Sequence, residues 1–328
     1  DMQVKVNSFY EGTGYYKKNY YADKSLQGKR VFLRFEGVGT CTEVYVNGKL
    51  VGTHKGAYSA FATEIGTALK YGEDNEILVK TDNTARPDVI PVNHSLFGVY
   101  GGMYRPVWLI VTEQSNITVM DCASPGVYIT QKNVSHQSAD ITVKVKLDNG
   151  CLKPESLVLQ NTIYTQEGKK VASDDQAIEL TPQGTQSYCT TFKLKKPHLW
   201  QGRKDPYLYK VVSRLLADGK VIDEVTQSLG VRKYEIIAGK GFYLNGKHRK
   251  FQGVCNHHDL GPLGAAINVA ALRHQLTLLK DMGCDAIRTS HNMPAPELVE
   301  LCDEMGFMMM IEPFDEWDIA KCENGYHR

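Results

Sequence analysis

At 328 residues the chain is too long for one ordinary domain and points to two or three. Its 42% hydrophobic and 23% charged residues are those of a globular protein, and a formal net charge of +1 gives no electrostatic case for nucleic acid or an anionic membrane. No run of about 18 apolar residues is present to span a bilayer.

The first residues, DMQVKVNSFYEGTG, lack the basic-then-apolar pattern of a signal peptide. The compartment stays open: periplasmic or secreted if a leader has been removed, cytoplasmic otherwise. Eight cysteines are scattered without a CxxC pair, so neither a metal cluster nor a redox motif is expected. Cys255 in an apolar run and Cys302 on an apolar helix face read as buried small hydrophobes.

From the start to residue 117 the pattern is all-β. VFLRFEGV (Val31 to Val38) alternates, with Val31, Leu33 and Phe35 on one face. TEVYVNGKLVG follows, and Asn47-Gly48 between two alternating runs predicts a hairpin, because a type I′ turn needs φ > 0 at both central residues. Further strands read at Ile77 to Asn83 and Arg105 to Glu113. The long loop between them, Arg86 to Tyr104, is rich in Pro, Gly and aromatics; ordinary ordered loop packing is the favoured expectation, and reach toward the mouth of the third segment the alternative. A jelly-roll sandwich is the architecture this predicts.

Residues 118–235 form a second all-β segment. Alternating runs stand at Ile141 to Leu147, Ser156 to Tyr164 and Ser187 to Leu194, and a last hairpin turns at Asp218-Gly219. Short strands with regular turn signals predict an immunoglobulin-like sandwich, without the Cys…Trp…Cys framework of antibody domains. The segment gathers no chemistry-capable groups and reads as a spacer.

In residues 236–328 the period changes. After a hairpin turning at Asn245-Gly246, Asn268 is placed to cap a helix through Met282, with Gly283 as its stop. A second helix is predicted from Pro296 to Met305, closed by Gly306. Three apolar runs flank these helices, and each ends in polar groups: FQGVCNHHD, DAIRTSHN and FMMMIEPFDEWD. Strand–helix–strand order fits a dinucleotide fold or a barrel. The first loop, Gly253-Val254-Cys255-Asn256-His257-His258-Asp259, cannot cradle a phosphate, whereas barrels place their groups at such strand ends. A barrel needs roughly 250 residues, so the reading is an incomplete (β/α)8 TIM barrel, with three strands and two helices.

At these residues the chain resembles a known family. The strings Gly12-Thr13-Gly14-Tyr15-Tyr16, Gly101-Gly102-Met103-Tyr104-Arg105-Pro106-Val107-Trp108-Leu109, Gly253 to His258 and Ile287-Arg288-Thr289-Ser290-His291-Asn292 stand in the order found in retaining glycoside hydrolases of family 2, the β-galactosidase and β-glucuronidase type. The HHDLG and IRTSHN strings resemble the β-galactosidase branch more closely. The resemblance implies a β-galactoside as partner, no redox cofactor, and His257, His291, Arg288, Asn292, Glu312 and Glu316 as substrate-binding groups. It places Glu316 where some members bind magnesium. Asp318 stands where those members have histidine, so that site is not assigned here.

Retaining glycosidases need two carboxyl groups about 5–5.5 Å apart. In this family they follow barrel strands four and seven, beyond the three strands read here. Glu312 and Glu316, four residues apart on an extended strand, would be roughly 13 Å apart at about 3.3 Å per residue. The chain is therefore expected to lack hydrolytic activity by itself. A competing class is a non-catalytic carbohydrate-binding protein using the first sandwich; a β-glucuronidase-type parent is the other alternative. Phe314 and Trp317 read equally as a sugar-stacking platform or as core, and the uncovered sheet edge predicts self-association, as in a homo-oligomer, a non-native packing or partial disorder.

Overall fold

A computed structural model describes residues 10–91, 99–316 and 318–319. The first sandwich pairs Thr13–Ala22, Glu73–Asp82, Cys41–Val46 and Lys49–Lys55 in that antiparallel order, over a second sheet of Phe61–Glu64, Arg30–Phe35 and Val107–Thr112. Val31, Leu33 and Phe35 point into the core with Val44, Val46 and Val79, as alternation requires. The opposite face of the same strand is covered as well, since Phe32 is fully buried and Arg34 donates from Nε to the Ala123 carbonyl at 2.7 Å. This face meets the segment leading into the second sandwich, so the alternation does not end in solvent.

All three predicted hairpins turn on left-handed residues: Asn47 (φ 51°) with Gly48 (78°), Asp218 (47°) with Gly219 (75°), and Asn245 (50°) with Gly246 (77°).

The second sandwich packs Lys170–Leu180, Glu155–Tyr164, Tyr209–Ala217 and Lys220–Leu229 against a sheet centred on Ser138–Asn149. Its core includes Ile141, Leu147, Leu159, Ile163, Leu180 and Leu215, all fully buried. The strand Ser115–Ile117 pairs with Ser138–Asn149, so this sandwich takes up the chain slightly before residue 118. The segment is also more than a spacer. Trp200, 2% exposed, donates from Nε1 to the Asp303 carbonyl at 2.9 Å. Arg203 donates to the Lys280 and Cys284 carbonyls at 2.9 and 2.6 Å, which satisfies acceptors at the end of the first barrel helix.

The barrel segment has three parallel strands in chain order, Gly253–Asn256, Ala286–Thr289 and Met308–Ile311. Asn268 caps the helix Val269–Asp281, its side chain accepting from the Ala271 amide at 2.9 Å. The helix Pro296–Met305 ends on Gly306 at φ 83°, where a Cβ would meet Gly202 and Arg203 backbone atoms within 2.6 Å. Both helices lie on one face of the sheet, where Leu272, Leu276, Ile287, Leu301, Cys302 and Phe307 form the core. The third strand is not buried on both faces as its composition predicts: Met310 and Ile311 are 57% and 46% exposed, because among the described residues no further strand or helix covers them.

Candidate functional site

The strand register decides which side chains share the helix-free face. Cys255 lies opposite Arg288, and Arg288 opposite Met310. At the carboxyl ends of these strands the polar groups converge. The Arg288 guanidinium is ion-paired through Nη2 with Glu312 Oε2, and its Nη1 lies 3.3 Å from both Cys255 Sγ and Ser290 Oγ. Glu312 reaches His291 with its other oxygen, Oε1, at 2.7 Å from Nδ1, and its backbone amide donates to Thr289 Oγ1 at 3.0 Å. The His257 and His291 rings meet edge to face, 5.7 Å apart at 85°. Four of the residues expected from sequence, His257, Arg288, His291 and Glu312, thus form one constellation.

Burial pushes His257 down from the ordinary imidazole range, and His291 and Arg288 push the same way against Asp259. The Cys255 thiol is lowered, chiefly by the hydrogen bond from Arg288. That thiol is exposed, not buried as its apolar run suggested, because it points to the face the helices leave open. Cys302 is buried as expected, and burial pushes it up to about 12.

The remaining expected residues are placed differently. Asn292 is 2% exposed and donates from Nδ2 to the Ser290 carbonyl at 3.1 Å, shaping its own loop. Glu316 is 1% exposed. Among the described residues no group of three or more His, Cys, Asp or Glu is placed to hold a metal ion. Trp317 lies outside the described residues, and Phe314 is half-buried.

The first sandwich also contributes, through the loop for which ordinary packing is the favoured expectation and reach toward the barrel mouth the alternative. Tyr58, Tyr100 and Tyr104 surround His258, with ring centroids 5.1, 5.5 and 6.2 Å away. Arg105, 6% exposed, donates to the Tyr58 carbonyl at 2.9 Å and to the Met293 carbonyl at 2.7 Å. The end of the Arg86 to Tyr104 loop therefore does not pack only within its own domain; it meets the strand-end loops of the barrel segment. Burial, then the charges of Arg105 and His257, push His258 down to about 3. A small cavity of about 30 Å³ lies beside the constellation, lined by residues that include Arg105, Asn256, His257, His258 and Asn292, with room for a water or two. The signal for this contact was the Tyr104-Arg105 pair in the string Gly101 to Leu109.

A β-sandwich docked on parallel βα units, with imidazoles and a guanidinium–carboxylate pair at their carboxyl ends, is the build of a barrel glycosidase. Comparison with known proteins gives the family. Three models of the family match in order: glycosyl hydrolases family 2, sugar binding domain, over residues 2–113; glycosyl hydrolases family 2 over 125–232; and glycosyl hydrolases family 2, TIM barrel domain, over 236–320. The chain belongs to glycosyl hydrolase family 2. It is 39% identical over 92% of its length to a β-glucuronidase of Bacteroides fragilis, and 35% identical over 97% to a β-galactosidase of Bacteroides ovatus. A Bacteroides fragilis crystal structure with the provisional name β-galactosidase superposes at a TM-score of 0.93, with 65% identity over 95% of this chain. The chain spans 43%, 36% and 46% of those three proteins.

Proposed function

We propose that this chain forms one wall of the sugar pocket of a retaining exo-glycosidase acting on terminal β-galactosides, and that by itself it binds sugar without cleaving it. One observation carries the reading: Arg288, Glu312, His291 and His257 converge at the carboxyl ends of three adjacent strands of a family 2 barrel segment. Two imidazoles and a guanidinium–carboxylate pair offer donors and acceptors at fixed spacing, which suits vicinal hydroxyls. Relatives carry both the galactosidase and the glucuronidase name. The charge of the face supports the neutral sugar. Arg288 is already neutralised by Glu312, and a uronate carboxylate arriving there would face Glu312 as well.

Binding without cleavage follows from the state of the carboxylates. Glu312 is engaged by Arg288 and His291, and Glu316 is buried, so the two do not stand free on either side of a glycosidic bond. Calorimetry with methyl β-galactoside and methyl β-glucuronide, beside an assay of nitrophenol release from nitrophenyl β-galactoside, tests both parts. The reading predicts heat with the galactoside and no release. Tighter binding of the glucuronide would reverse the specificity, and protein-dependent release would refute the loss of cleavage.

A further inference from the structure

Two loops carry the sugar-facing histidines, and both touch the same group of side chains in the first sandwich. His258, next to His257, is boxed by the rings of Tyr58, Tyr100 and Tyr104 at centroid distances of 5.1, 5.5 and 6.2 Å. Met293, two residues beyond His291, accepts from Arg105 Nη2 at 2.7 Å. Arg105 is tied back to its own domain through the Tyr58 carbonyl at 2.9 Å, and its guanidinium lies over the Tyr104 ring at 5.3 Å. We infer that the Tyr58, Tyr100, Tyr104 and Arg105 cluster is a positioning device that sets the spacing of His257 and His291, gripping one loop through His258 and the other through the Met293 carbonyl.

The physical case is one of rigidity. A binding constellation keeps its geometry to within about 0.5 Å only if packing and hydrogen bonds outside the contact groups lock their rotamers. The two loops are joined at their roots, where the Ser290 amide donates to the Asn256 carbonyl at 2.8 Å, and one residue further on the His257 and His291 rings meet at 5.7 Å. Arg105 bridges the two sides, with one nitrogen on each domain. A ring box around His258 transmits its position through a single peptide to His257. The box also requires a neutral imidazole, because Arg105 faces it from the sandwich and His257 from its own loop, while the tyrosines offer no counter-charge. The small cavity beside the loops is lined by groups from both sides of the seam, Arg105 with His257, His258 and Asn292. The sandwich thus supplies the wall against which both histidine loops are set.

The inference rests on the reading of His257 and His291 as sugar-facing groups, and the test separates the two. Histidine side-chain NMR on the whole 328-residue chain compares Tyr100→Ala, Tyr100→Phe and His258→Ala with the parent, and calorimetry with methyl β-galactoside follows each. Tyr100→Ala is expected to move or broaden the imidazole signals of both His257 and His291 and to weaken galactoside binding by about tenfold or more. Tyr100→Phe keeps the ring and is expected to restore both. His258→Ala, made from the barrel side, should disturb the His291 signal across the seam. The Ser138–Asn149 amides serve as the internal check that each variant is folded. Unchanged His257 and His291 signals in a folded Tyr100→Ala or His258→Ala chain would overturn the brace, whether or not sugar binds. Shifted signals with unchanged sugar affinity would keep the brace and remove its link to the site.

Discussion

Acid should loosen this protein through His258 in particular. Its imidazole is pushed down to about 3 from an ordinary value of 6.5, so the folded state holds it neutral where the unfolded chain takes up a proton. Stability from this group is fully present above about pH 6.5 and falls as pH drops towards 3, at up to about 1.4 kcal/mol per pH unit. At pH 4.5 the loss from His258 alone comes to about 2–3 kcal/mol. His54 and His257 are lowered too, chiefly by burial, and add to the acid sensitivity of the parent. A difference measurement isolates His258. Urea titrations of the parent and of His258→Gln at pH 7.0 and 4.5 should show the parent losing about 2–3 kcal/mol more than the variant between the two conditions. Among the described residues, the groups facing the ring, Arg105, His257 and the three tyrosines, include no acid that would hold an imidazolium in place. Equal losses in parent and variant would refute the reasoning, and so would an NMR titration that protonates His258 near pH 6.

Other consequences are equally direct. Leu276, fully buried between the first barrel helix and the sheet, should cost about 2–5 kcal/mol when cut to alanine, read as a fall in the urea midpoint of the barrel segment. Asn268→Ala removes the side-chain cap on the Ala271 amide and should cost about 1 kcal/mol in the same titration. Iodoacetamide at neutral pH should label Cys255, exposed and acidified by Arg288, while Cys302 stays unmodified until denaturant is added; peptide mass spectrometry distinguishes them, and Arg288→Gln should slow the Cys255 reaction.

Much of the architecture was legible because the signals were local. Asn-Gly and Asp-Gly turns, the Asn268 cap and the Gly306 stop each depend on a few neighbouring residues, and all appear where the sequence puts them. The strand-end cluster was legible for a related reason: strand polarity and register alone bring His257, Arg288, His291 and Glu312 to one end of one sheet. Contacts across a seam were far less legible. Alternation along Arg30–Phe35 separates two faces, but it does not show that Phe32 on the second is fully buried and that Arg34 there reaches the Ala123 carbonyl. An apolar run hid the exposure of Cys255, because the side it faces depends on which face the helices occupy. The tyrosine box around His258 joins residues about 150 to 200 positions apart in the chain, and no spacing rule reaches that far.

The central claim is that sugar is held between the histidines at the ends of the first two barrel strands. Calorimetric titration of the 328-residue chain with methyl β-galactoside, repeated on His257→Ala and His291→Ala, addresses it most directly. The account predicts measurable binding by the parent that falls by tenfold or more in each variant, roughly 1.4 kcal/mol or greater per imidazole removed. Equal affinity in all three proteins would contradict it and place the sugar elsewhere on the molecule.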